Sequence, residues 1–368
     1  MDYHPAGTEI LRIQLLIEKC VQGGLGLTHL PDGSVCFVEG VLPGELAEIE
    51  ITEKKRDFSK AIAVNILEAN KGRRKPPCKY YGKCGGCNAQ YAEFELQIEL
   101  LKQIVLDLFS RTAKVNLPQS FEIHSGEEWG YRSRAQVFAT GKNIPWGFRE
   151  RAANDVVPIE KCLVLSQNLN EKLKENSNSK KRYLFDNQSE KFLGKYIQAD
   201  EAVFFQSNLE LLPKLLDRIK KAASGGELLL DIFCGVGLFS AFLQDMFGQV
   251  IAIEQDSRCQ KFAEKNLGDN CSFFATSAEE WCEKNSELLS KACVLIDPPR
   301  TGITDKLCNT LCKNRARKLI YVSCNPATLA RDTRKLLNSG YELANIQGFA
   351  FYPQTFHLEM VANFCPVL

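Results

Sequence analysis

Several features are missing from this sequence of 368 residues, and each absence narrows the interpretation. No stretch approaches the roughly 18 uninterrupted apolar residues that a membrane-spanning helix needs. The first residues, MDYHPAGTEILRIQ, lack the basic leader and apolar segment of a secretory signal, so we expect a cytoplasmic protein. The four histidines form no HExxH-like pair, which leaves a hydrolytic metal centre unsupported. The net charge is only +1, so any surface that binds nucleic acid must be a local one.

The composition is that of a globular protein with a sizeable core. Hydrophobic residues make up 45% of the chain and charged residues 25%, and the length suffices for two or three domains. Cysteine is abundant, with fifteen residues, an odd number. Without a secretion signal we expect these thiols to be reduced, with a few serving a metal or catalysis.

The stretch Leu228–Ser240, LLLDIFCGVGLFS, is the clearest local signal. An apolar run followed by a Gly-x-Gly turn and a second apolar run predicts a buried strand, a tight turn and a helix. Gly235 and Gly237 allow the backbone to bend and to approach a cofactor closely. The next strand, VIAIEQ, ends at Glu254, whose carboxylate suits a ribose diol. Taken alone, the glycine pair is equally compatible with a purely structural turn.

The C-terminal part alternates between strands and helices in an α/β pattern. Predicted strands are LLLDIF, QVIAIE, CSFFAT, ACVLID and KLIYVS, with helical stretches between them and a helix over FFQSNLELLPKLLDRIKKA before them. This order predicts a doubly wound parallel sheet that binds its ligand at the carboxyl ends of the strands. Two last strands, near ELANIQGFAFY and at LEMVANF, have no helix between them and can form an antiparallel hairpin at one edge.

The ends of two predicted strands, together with the last strand, carry side chains that can act in one reaction. The fourth strand ends in IDPPRTG, with Asp297 and Arg300, and the fifth in VSCNP, with Cys324; the last strand supplies Glu359. A thiol and a carboxylate are what methylation of uracil at C5 needs: a thiolate that adds to C6 makes C5 nucleophilic, and a general base must then remove the C5 proton. We therefore predict Cys324 as nucleophile and Glu359 as base, with the start of the following helix lowering the pKa of the thiol. The structural alternatives are a buried small residue and a surface carboxylate.

Residues 9–70 predict a small β-barrel of the OB type, which is a common platform for oligonucleotides. Basic residues follow its third predicted strand and fill the next linker, which suits phosphate binding: Lys54, Lys55, Arg56, Lys60, Lys71, Arg73, Arg74 and Lys75. The alternative is a solvated strand end and linker.

A glycine-rich loop after the barrel carries Cys78, Cys84 and Cys87 in the spacing C-x5-C-x2-C. A fourth ligand must come from elsewhere, and Cys162, in a short polar turn, is the candidate. Four thiolates suit either a structural zinc ion or an iron–sulfur cluster. Between these cysteines, Asn88–Ser110 has the apolar spacing of an amphipathic helix.

Residues 121–165 mix aromatic and cationic side chains on predicted strands, notably Arg132, Arg134 and Phe148. Such a surface can stack on unpaired bases and bind phosphates, although an ordinary half-buried sheet gives the same pattern. Residues 166–200, rich in lysine and asparagine, predict a polar connector before the catalytic domain.

The motifs together resemble one enzyme family. From about residue 9 to 364 the chain resembles the RNA 5-methyluridine methyltransferases, in particular bacterial 23S rRNA uracil-C5 enzymes with an RNA-binding TRAM barrel. The motifs are the cysteine set, FFQSN, DIFCGVG, IEQ, DPPRTG, VSCNP and the terminal H-x-E. The resemblance implies an S-adenosylmethionine-dependent methyltransferase fold and a [4Fe–4S] cluster, with zinc as the alternative that ligand type leaves open. It implies cofactor contacts at Gln206, Phe233, Glu254 and Asp297, a weaker one at Ser277, and Arg300 near the target base.

We predict three domains: a TRAM-like barrel (1–71), a β-rich cluster and RNA-binding domain (72–200, with helix 88–110), and the methyltransferase domain (201–368). The predicted partner is RNA, 23S rRNA in the first place, with a flipped or splayed target uridine. Alternatives are a tRNA T-loop uridine methyltransferase, a methyltransferase acting on base amino groups, and a non-catalytic RNA-binding protein. A monomer is the default expectation.

Overall fold

The structure is a computed structural model that describes residues 12–139, 145–151, 153–175, 181–185, 189–200 and 203–367. It divides into two compact units. The first comprises residues up to Ile104 together with Gln354–Phe356, and the second comprises Val105–Pro353 and His357–Leu368. The three predicted domain boundaries stay predictions.

The first unit begins with an all-β region, as its sequence predicts. Its strands are β1 (Arg12–Leu16), β2 (Lys19–Val21), β3 (Leu25–His29), β4 (Val35–Glu39), β5 (Leu46–Lys54) and β6 (Phe58–Glu68), in the sheet order β1-β5-β6-β4-β3-β2. Alternate residues of these strands, such as Val38, Ala47 and Ile49, are fully buried in one apolar core. The turn predicted at QGGLG is shorter than expected, because Leu25 already starts a strand that pairs with β2.

Turns occupy most of the chain between β6 and helix α1 (Phe94–Leu108). The helix starts later than the predicted residue 88, because the backbone N–H groups of Asn88 and Ala89 donate to the carbonyl of Gln354 instead. After Leu108 it continues as a π-helical turn, Phe109–Ala113, and stops at Lys114, whose φ is 61°.

The second unit contains two small antiparallel sheets besides its main sheet. One is built from β8 (Arg134–Phe138), β9 (Gly147–Arg149), β10 (Val156–Pro158) and β11 (Lys181–Phe185), in the order β10-β9-β8-β11. The other pairs β12 (Ser189–Phe192) with β13 (Lys195–Gln198). The predicted polar connector contains α2 (Gln167–Leu173), and part of it lies outside the described residues.

The main sheet has eight strands and confirms the predicted doubly wound α/β class. The strands are β7 (Ile123–His124), β14 (Gly226–Ile232), β15 (Phe247–Glu254), β16 (Cys271–Ala275), β17 (Cys293–Ile296), β18 (Lys318–Ser323), β19 (Tyr341–Phe349) and β20 (Glu359–Pro366). Their order in the sheet is β16-β15-β14-β17-β18-β20-β19-β7. The helices are α3 (Leu212–Ala223), α4 (Leu238–Leu243), α5 (Gln260–Asn266), α6 (Ala278–Lys284), α7 (Ser286–Leu289), α8 (Asp305–Lys313) and α9 (Pro326–Asn338).

Strands β14 to β18 are parallel, and β20 runs antiparallel to both β18 and β19. The predicted hairpin of the last two strands therefore exists, but β7 lies beyond it at the edge of the sheet. Helix α3 starts at Leu212 rather than at the predicted FFQSN stretch, because Asn208 accepts a hydrogen bond from the Leu211 N–H and closes a turn there. Among the described residues, no helix combines the length and the apolar character needed to cross a bilayer.

Candidate active site

The Gly-x-Gly turn after β14 has the backbone geometry that its sequence predicts. Gly235 and Gly237 have φ values of 54° and 79°, in the left-handed region that favours glycine. Phe233, directly after the strand, also has a positive φ of 66°, which is rare for a bulky residue. Among the described residues, a Cβ on Gly235 would meet no atom within 4 Å other than those of its chain neighbours, so this side of the turn has room for a ligand.

Two carboxylates accept hydrogen bonds around this turn: that of Glu254 on β15 and that of Asp231 on β14. The Glu254 carboxylate accepts hydrogen bonds from the backbone N–H groups of Gly235 (3.0 Å) and Asp256 (2.8 Å) at the carboxyl end of β15. Asp231 is fully buried, and its Oδ2 accepts from both the N–H and the hydroxyl of Ser240 (3.0 and 2.6 Å). Burial raises the pKa of Asp231 to about 6 despite these bonds. The sequence alone did not identify Asp231 as a residue that holds the turn in place through Ser240.

The FFQSN segment is fixed in an extended form before α3. Ser133 donates to the carbonyl of Ser207 from its N–H (2.8 Å) and its hydroxyl (3.0 Å), and Asn208 donates to the carbonyl of Phe351 (3.2 Å). Gln206 is only 4% exposed, and its Oε1 has no hydrogen-bond partner within the described parts of the chain. A buried acceptor oxygen of this kind suits a ligand that donates a hydrogen bond to it.

Asp297 and Arg300 lie on the loop after β17, which is tied to the start of α9. The side chain of Asn325 donates to the Arg300 carbonyl (2.9 Å) and accepts from the Ala327 N–H (3.1 Å) as the helix cap. Burial, followed by the negative charges of Glu359, Asp231 and Glu254, raises the pKa of Asp297 well above its usual range. Asn325 therefore holds Arg300 and the neighbouring Cys324 together, a role that its sequence motif did not reveal.

Cys324 and Glu359 meet at the junction of β18 and β20. Ser323 and Met360 are the last residue pair that joins β18 to β20; Cys324 follows Ser323 in a bend, and Glu359 directly precedes Met360. The charge of Glu359 acts on the Cys324 thiol, so the two groups lie close together. Burial raises the pKa of Glu359 to about 7, and the Arg300 guanidinium opposes this shift. A carboxyl group with a pKa near neutral pH is suited to accept a proton.

The expected lowering of the Cys324 pKa is wrong. Burial, and then the charges of Glu359 and Asp297, raise the pKa of this thiol to about 11, while Arg300 acts in the opposite direction. The helix start cannot outweigh these effects because Cys324 lies before the cap residue Asn325, among acidic neighbours.

Comparison with known proteins decides what this site belongs to. A family model described as tRNA (uracil-5-)-methyltransferase matches residues 185–363, and a TRAM-domain model matches residues 12–64. An uncharacterized RNA methyltransferase of Treponema denticola is 31% identical, across 94% of this chain and 97% of its own. The 23S rRNA (uracil(1939)-C(5))-methyltransferase RlmD of Shewanella amazonensis is 30% identical, across 96% of this chain and 95% of its own. The chain belongs to the RNA uracil-C5 methyltransferase family.

A solved structure supports the same fold for this RNA uracil-C5 methyltransferase. The crystal structure of the Pyrococcus abyssi tRNA (uracil-54, C5)-methyltransferase in complex with S-adenosyl-L-homocysteine matches it with a TM-score of 0.69. The match covers 96% of this chain and all of that one at 19% identity, so it shows the fold alone. The predicted family, fold class and enzyme class are confirmed.

Three of the residues predicted to contact RNA, which are Arg132, Arg134 and Phe148, lie in the second unit of the methyltransferase. Arg132 and Arg134 are half-buried at alternate positions leading into and along β8, and Phe148 is half-buried on β9. The Arg132 side chain donates to the carbonyl of Arg134 (2.9 Å), and its charge acts on Tyr352 and His357.

Ser277 has a structural role in the second unit. It caps α6 by accepting a hydrogen bond from the Glu280 N–H (3.2 Å). Its predicted adenine contact stays a prediction.

Part of the basic cluster predicted to bind phosphate has structural partners inside the first unit. Arg73 pairs with the fully buried Glu45, and Arg74 donates to the carbonyl of Gln90. These two arginines therefore stabilise the first unit, which sequence spacing could not show. Lys55 and Lys60 both pair with Glu53 at the surface.

The four predicted metal ligands are all half-buried. Cys78, Cys84 and Cys87 lie in the turns of the first unit, and Cys162 lies in the second, where its N–H and carbonyl both bond to the Asn170 side chain (2.8 and 3.0 Å). Across the described parts of the chain, no group of three or more histidine, cysteine or acidic side chains has the arrangement of a metal site. Thiol donors fit iron or zinc chemically, so the cluster stays a proposal.

Proposed function

We propose that this enzyme methylates C5 of a specific uridine in 23S rRNA, with Cys324 as nucleophile and Glu359 as general base. One observation carries the proposal: beside the last residue pair of β18 and β20, a thiol lies in the electrostatic field of a carboxyl group whose pKa is about 7. A methyltransferase that acts on the amino groups of bases needs neither Cys324 nor Glu359 for its reaction. A non-catalytic RNA-binding protein does not need the two groups together.

The turn after β14 and its neighbours suit S-adenosylmethionine as methyl donor. Gly235 and Gly237 have no side chains that would keep a ligand away from the backbone of the turn. The carboxylate of Glu254 can bind a ribose diol, and the buried Oε1 of Gln206 can accept a hydrogen bond from the cofactor. Phe233 and Asp297, at the ends of β14 and β17, border the same edge of the sheet. When bound, the cofactor supplies a methyl group on a positively charged sulfur.

Cys324 forms the first bond of the proposed reaction and is released in the last step. Its thiolate forms a bond to C6 of uracil, and the electron pair of the C5–C6 double bond moves toward O4. Arg300 lies where it can stabilise this negative charge, because its guanidinium already acts on both Cys324 and Glu359. C5 then takes the methyl group, Glu359 removes the C5 proton, and the C6–sulfur bond breaks to release 5-methyluridine and the thiolate.

Support for rRNA as the substrate comes from the relatives. The proteins named as 23S rRNA (uracil(1939)-C(5))-methyltransferases from Shewanella amazonensis and Mannheimia succiniciproducens are each 30% identical over more than nine-tenths of this chain. The tRNA enzyme of Pyrococcus abyssi shares the fold at only 19% identity. We therefore take tRNA as the outcome to exclude by experiment.

The proposal includes a [4Fe–4S] cluster on Cys78, Cys84, Cys87 and Cys162, with zinc as the alternative. Its support is the cysteine spacing and the turn-rich loop that carries the first three thiols. Metal and acid-labile sulfide analysis of protein purified without oxygen distinguishes the two. Four iron and four sulfide per chain, lost in Cys84→Ser but retained in Cys365→Ser, is the expected result.

Mass spectrometry of a trapped adduct tests the catalytic proposal. The enzyme is incubated with S-adenosylmethionine and a 5-fluorouridine-substituted 23S rRNA fragment centred on the uridine equivalent to position 1939. Fluorine at C5 blocks proton removal, so the enzyme stalls as a covalent adduct that carries the transferred methyl group. We expect the adduct on Cys324, with none in Cys324→Ser and an unchanged yield in the control Cys365→Ser.

Two other outcomes are informative. An adduct with a tRNA T-arm transcript but not with the rRNA fragment would overturn the substrate and retain the mechanism. No adduct with either RNA, although the cofactor binds, would overturn the thiol mechanism.

A further inference from the structure

One face of strand β8 presents a row of polar and aromatic side chains. Burial alternates strictly from Tyr131 to Ala139: the odd-numbered residues are buried, and the even-numbered ones are half-buried. The half-buried row, which we call the β8 face, consists of Arg132, Arg134, Gln136 and Phe138. Neighbouring members are about 7 Å apart along an extended chain, so Gln136 lies about 14 Å from Arg132.

Gln136 is an anomaly on the β8 face. Its amide nitrogen Nε2 is buried and has no hydrogen-bond partner within the described portion of the chain. Leaving a buried donor unsatisfied destabilises the folded protein, and such groups are rare in native structures. The indole Nε1 of Trp146 is also unsatisfied, but that side chain is only 1% exposed and is closed off from the surface. Of the uncharged side chains on the β8 face, Gln136 is the one with such a donor.

The charges around Gln136 indicate what the β8 face binds. At one end, Arg132 acts electrostatically on Tyr352 and His357, and Tyr352 in turn lies in the field of Glu359 and Cys324. At the other end, the Arg149 guanidinium lies 4.3 Å from the centre of the Phe138 ring. The β8 face thus starts near Cys324 and Glu359 and has a cation toward each end. Such a surface suits the phosphate backbone of a nucleic acid strand.

We propose that Gln136 is a specificity-determining residue that hydrogen-bonds the edge of an unpaired base next to the target uridine. This inference rests on the proposed function, because it takes single-stranded RNA as the ligand. The side-chain amide carries no charge, so it adds little to phosphate binding, whereas its donor and acceptor can match the edge of one base and not another. Because Gln136 as a whole is only half-buried, its amide can turn the buried Nε2 toward the bound RNA, which supplies the partner that the described part of the free protein lacks.

The inference makes an unusual prediction for Gln136→Leu. Leucine has a similar volume and no polar atom, so it removes the unsatisfied donor. We expect the melting temperature to stay the same or to rise, while recognition of the flanking base is lost. Gln136→Glu keeps the shape and replaces the donor by an acceptor, so it also loses recognition. Gln103→Leu is the matched control, because Gln103 bonds to Glu99 on the exposed side of α1.

Two measurements test it: melting curves of the full-length protein, and kcat/KM on a set of RNA fragments. The set contains the parent 23S rRNA fragment and versions with each other base at the two positions on either side of the target. We expect the wild-type enzyme to discriminate by about tenfold or more at one of these positions. In Gln136→Leu, kcat/KM on the parent falls to the level of the substituted RNAs, and the preference at that position disappears.

Three results would overturn the inference. They are a fall in melting temperature in Gln136→Leu beyond that of Gln103→Leu, an equal loss on all fragments, and an unchanged preference. A failure of the proposed function is distinct, because it appears in the wild-type enzyme as an absence of methylation of the parent fragment and of tRNA. In that case the assignment of the β8 face to RNA falls with it.

Discussion

Cys324 and Glu359 lie directly beside the last residue pair that joins β18 to β20, at the carboxyl end of the fifth parallel strand. In that pair Ser323 faces Met360, Cys324 follows Ser323 and Glu359 precedes Met360, and the charge of Glu359 acts on the Cys324 thiol. A base on the neighbouring strand can therefore reach the ring that the thiol has attacked. Arg300 is held beside them by the bond from Asn325 to its carbonyl.

Glu359→Gln should separate the two halves of the reaction. The thiol can still attack C6 and C5 can still take the methyl group, but the C5 proton has no acceptor. We expect turnover to fall by about a thousandfold or more, a usual range for losing a general base, with accumulation of a methylated adduct on unmodified RNA. Denaturing gel shift and intact mass measure the adduct. A Glu359→Gln enzyme that turns over normally would contradict the assignment.

The pH dependence of kcat/KM should have two slopes. Glu359 must be ionised to accept a proton and has a pKa of about 7, while Cys324 must be ionised to attack and has a pKa of about 11. Below pH 7 both groups lose their reactive form, so log(kcat/KM) should rise with a slope near two, and between about pH 7 and 9 with a slope near one. Initial rates from about pH 5.5 to 9 check this. A flat profile in the upper part of this range would mean that Cys324 is already ionised in the free enzyme, which contradicts its raised pKa.

The free energy of unfolding should depend on pH because of the same carboxyl group, that of Glu359. Folding raises the pKa of Glu359 from 4.5 to about 7, so its stabilising contribution is complete below pH 4.5 and is lost as pH rises through 7. A glutamine at this position has no charge to bury. Glu359→Gln should therefore exceed the wild type in free energy of unfolding by on the order of 3 kcal/mol at about pH 8, and by only about 1 kcal/mol at about pH 5. Urea denaturation at the two pH values measures the difference.

Asn325 should matter more to catalysis than to stability. Asn325→Ala removes the cap of α9 and the bond to Arg300, which costs about 1 kcal/mol in folding. Asn325→Asp retains the cap but cannot donate to the Arg300 carbonyl. We expect the melting temperature to fall less in Asn325→Asp than in Asn325→Ala, because the cap is retained, while kcat is at least about tenfold below the wild type, the loss expected when a positioning contact is removed. Wild-type values of both in Asn325→Asp would leave Asn325 with a purely structural role.

The buried ion pair between Arg73 and Glu45 should be essential to the first unit. Glu45 is fully buried and accepts from the Arg73 Nη2 (2.7 Å), the Leu42 N–H (2.7 Å) and the Asn70 N–H (3.1 Å). Glu45→Gln leaves the guanidinium without its counter-charge, so we expect a loss of about 3–5 kcal/mol in free energy of unfolding. The exposed Glu53, paired with Lys60 (2.7 Å), is the matched control, and Glu53→Gln should cost clearly less than Glu45→Gln in the same urea titration.

Local sequence patterns predicted the chemistry of the site because each pattern spans only a few residues. A buried strand, a Gly-x-Gly turn and a helix can be predicted from LLLDIFCGVGLFS, and the carboxyl ends of parallel strands meet at one edge. The same reasoning reached Cys324, Asp297 and Glu254 by their position after a strand. Element starts were less predictable: α1 and α3 both begin later than expected, because backbone and Asn208 hydrogen bonds hold turns at those places.

The sequence by itself determined the family, the α/β class and the candidate nucleophile and base, since these depend on residue type and short-range spacing. Only the tertiary structure decided the pairing of β18 with β20 that brings Cys324 close to Glu359, and the burial that raises both pKa values. It also decided that Arg73 pairs with Glu45, and that Gln136 has a buried donor without a partner among the residues that the structure describes. These properties depend on residues far apart in the chain, and the electrostatic free energy of a group depends on all the atoms around it rather than on its neighbours in sequence.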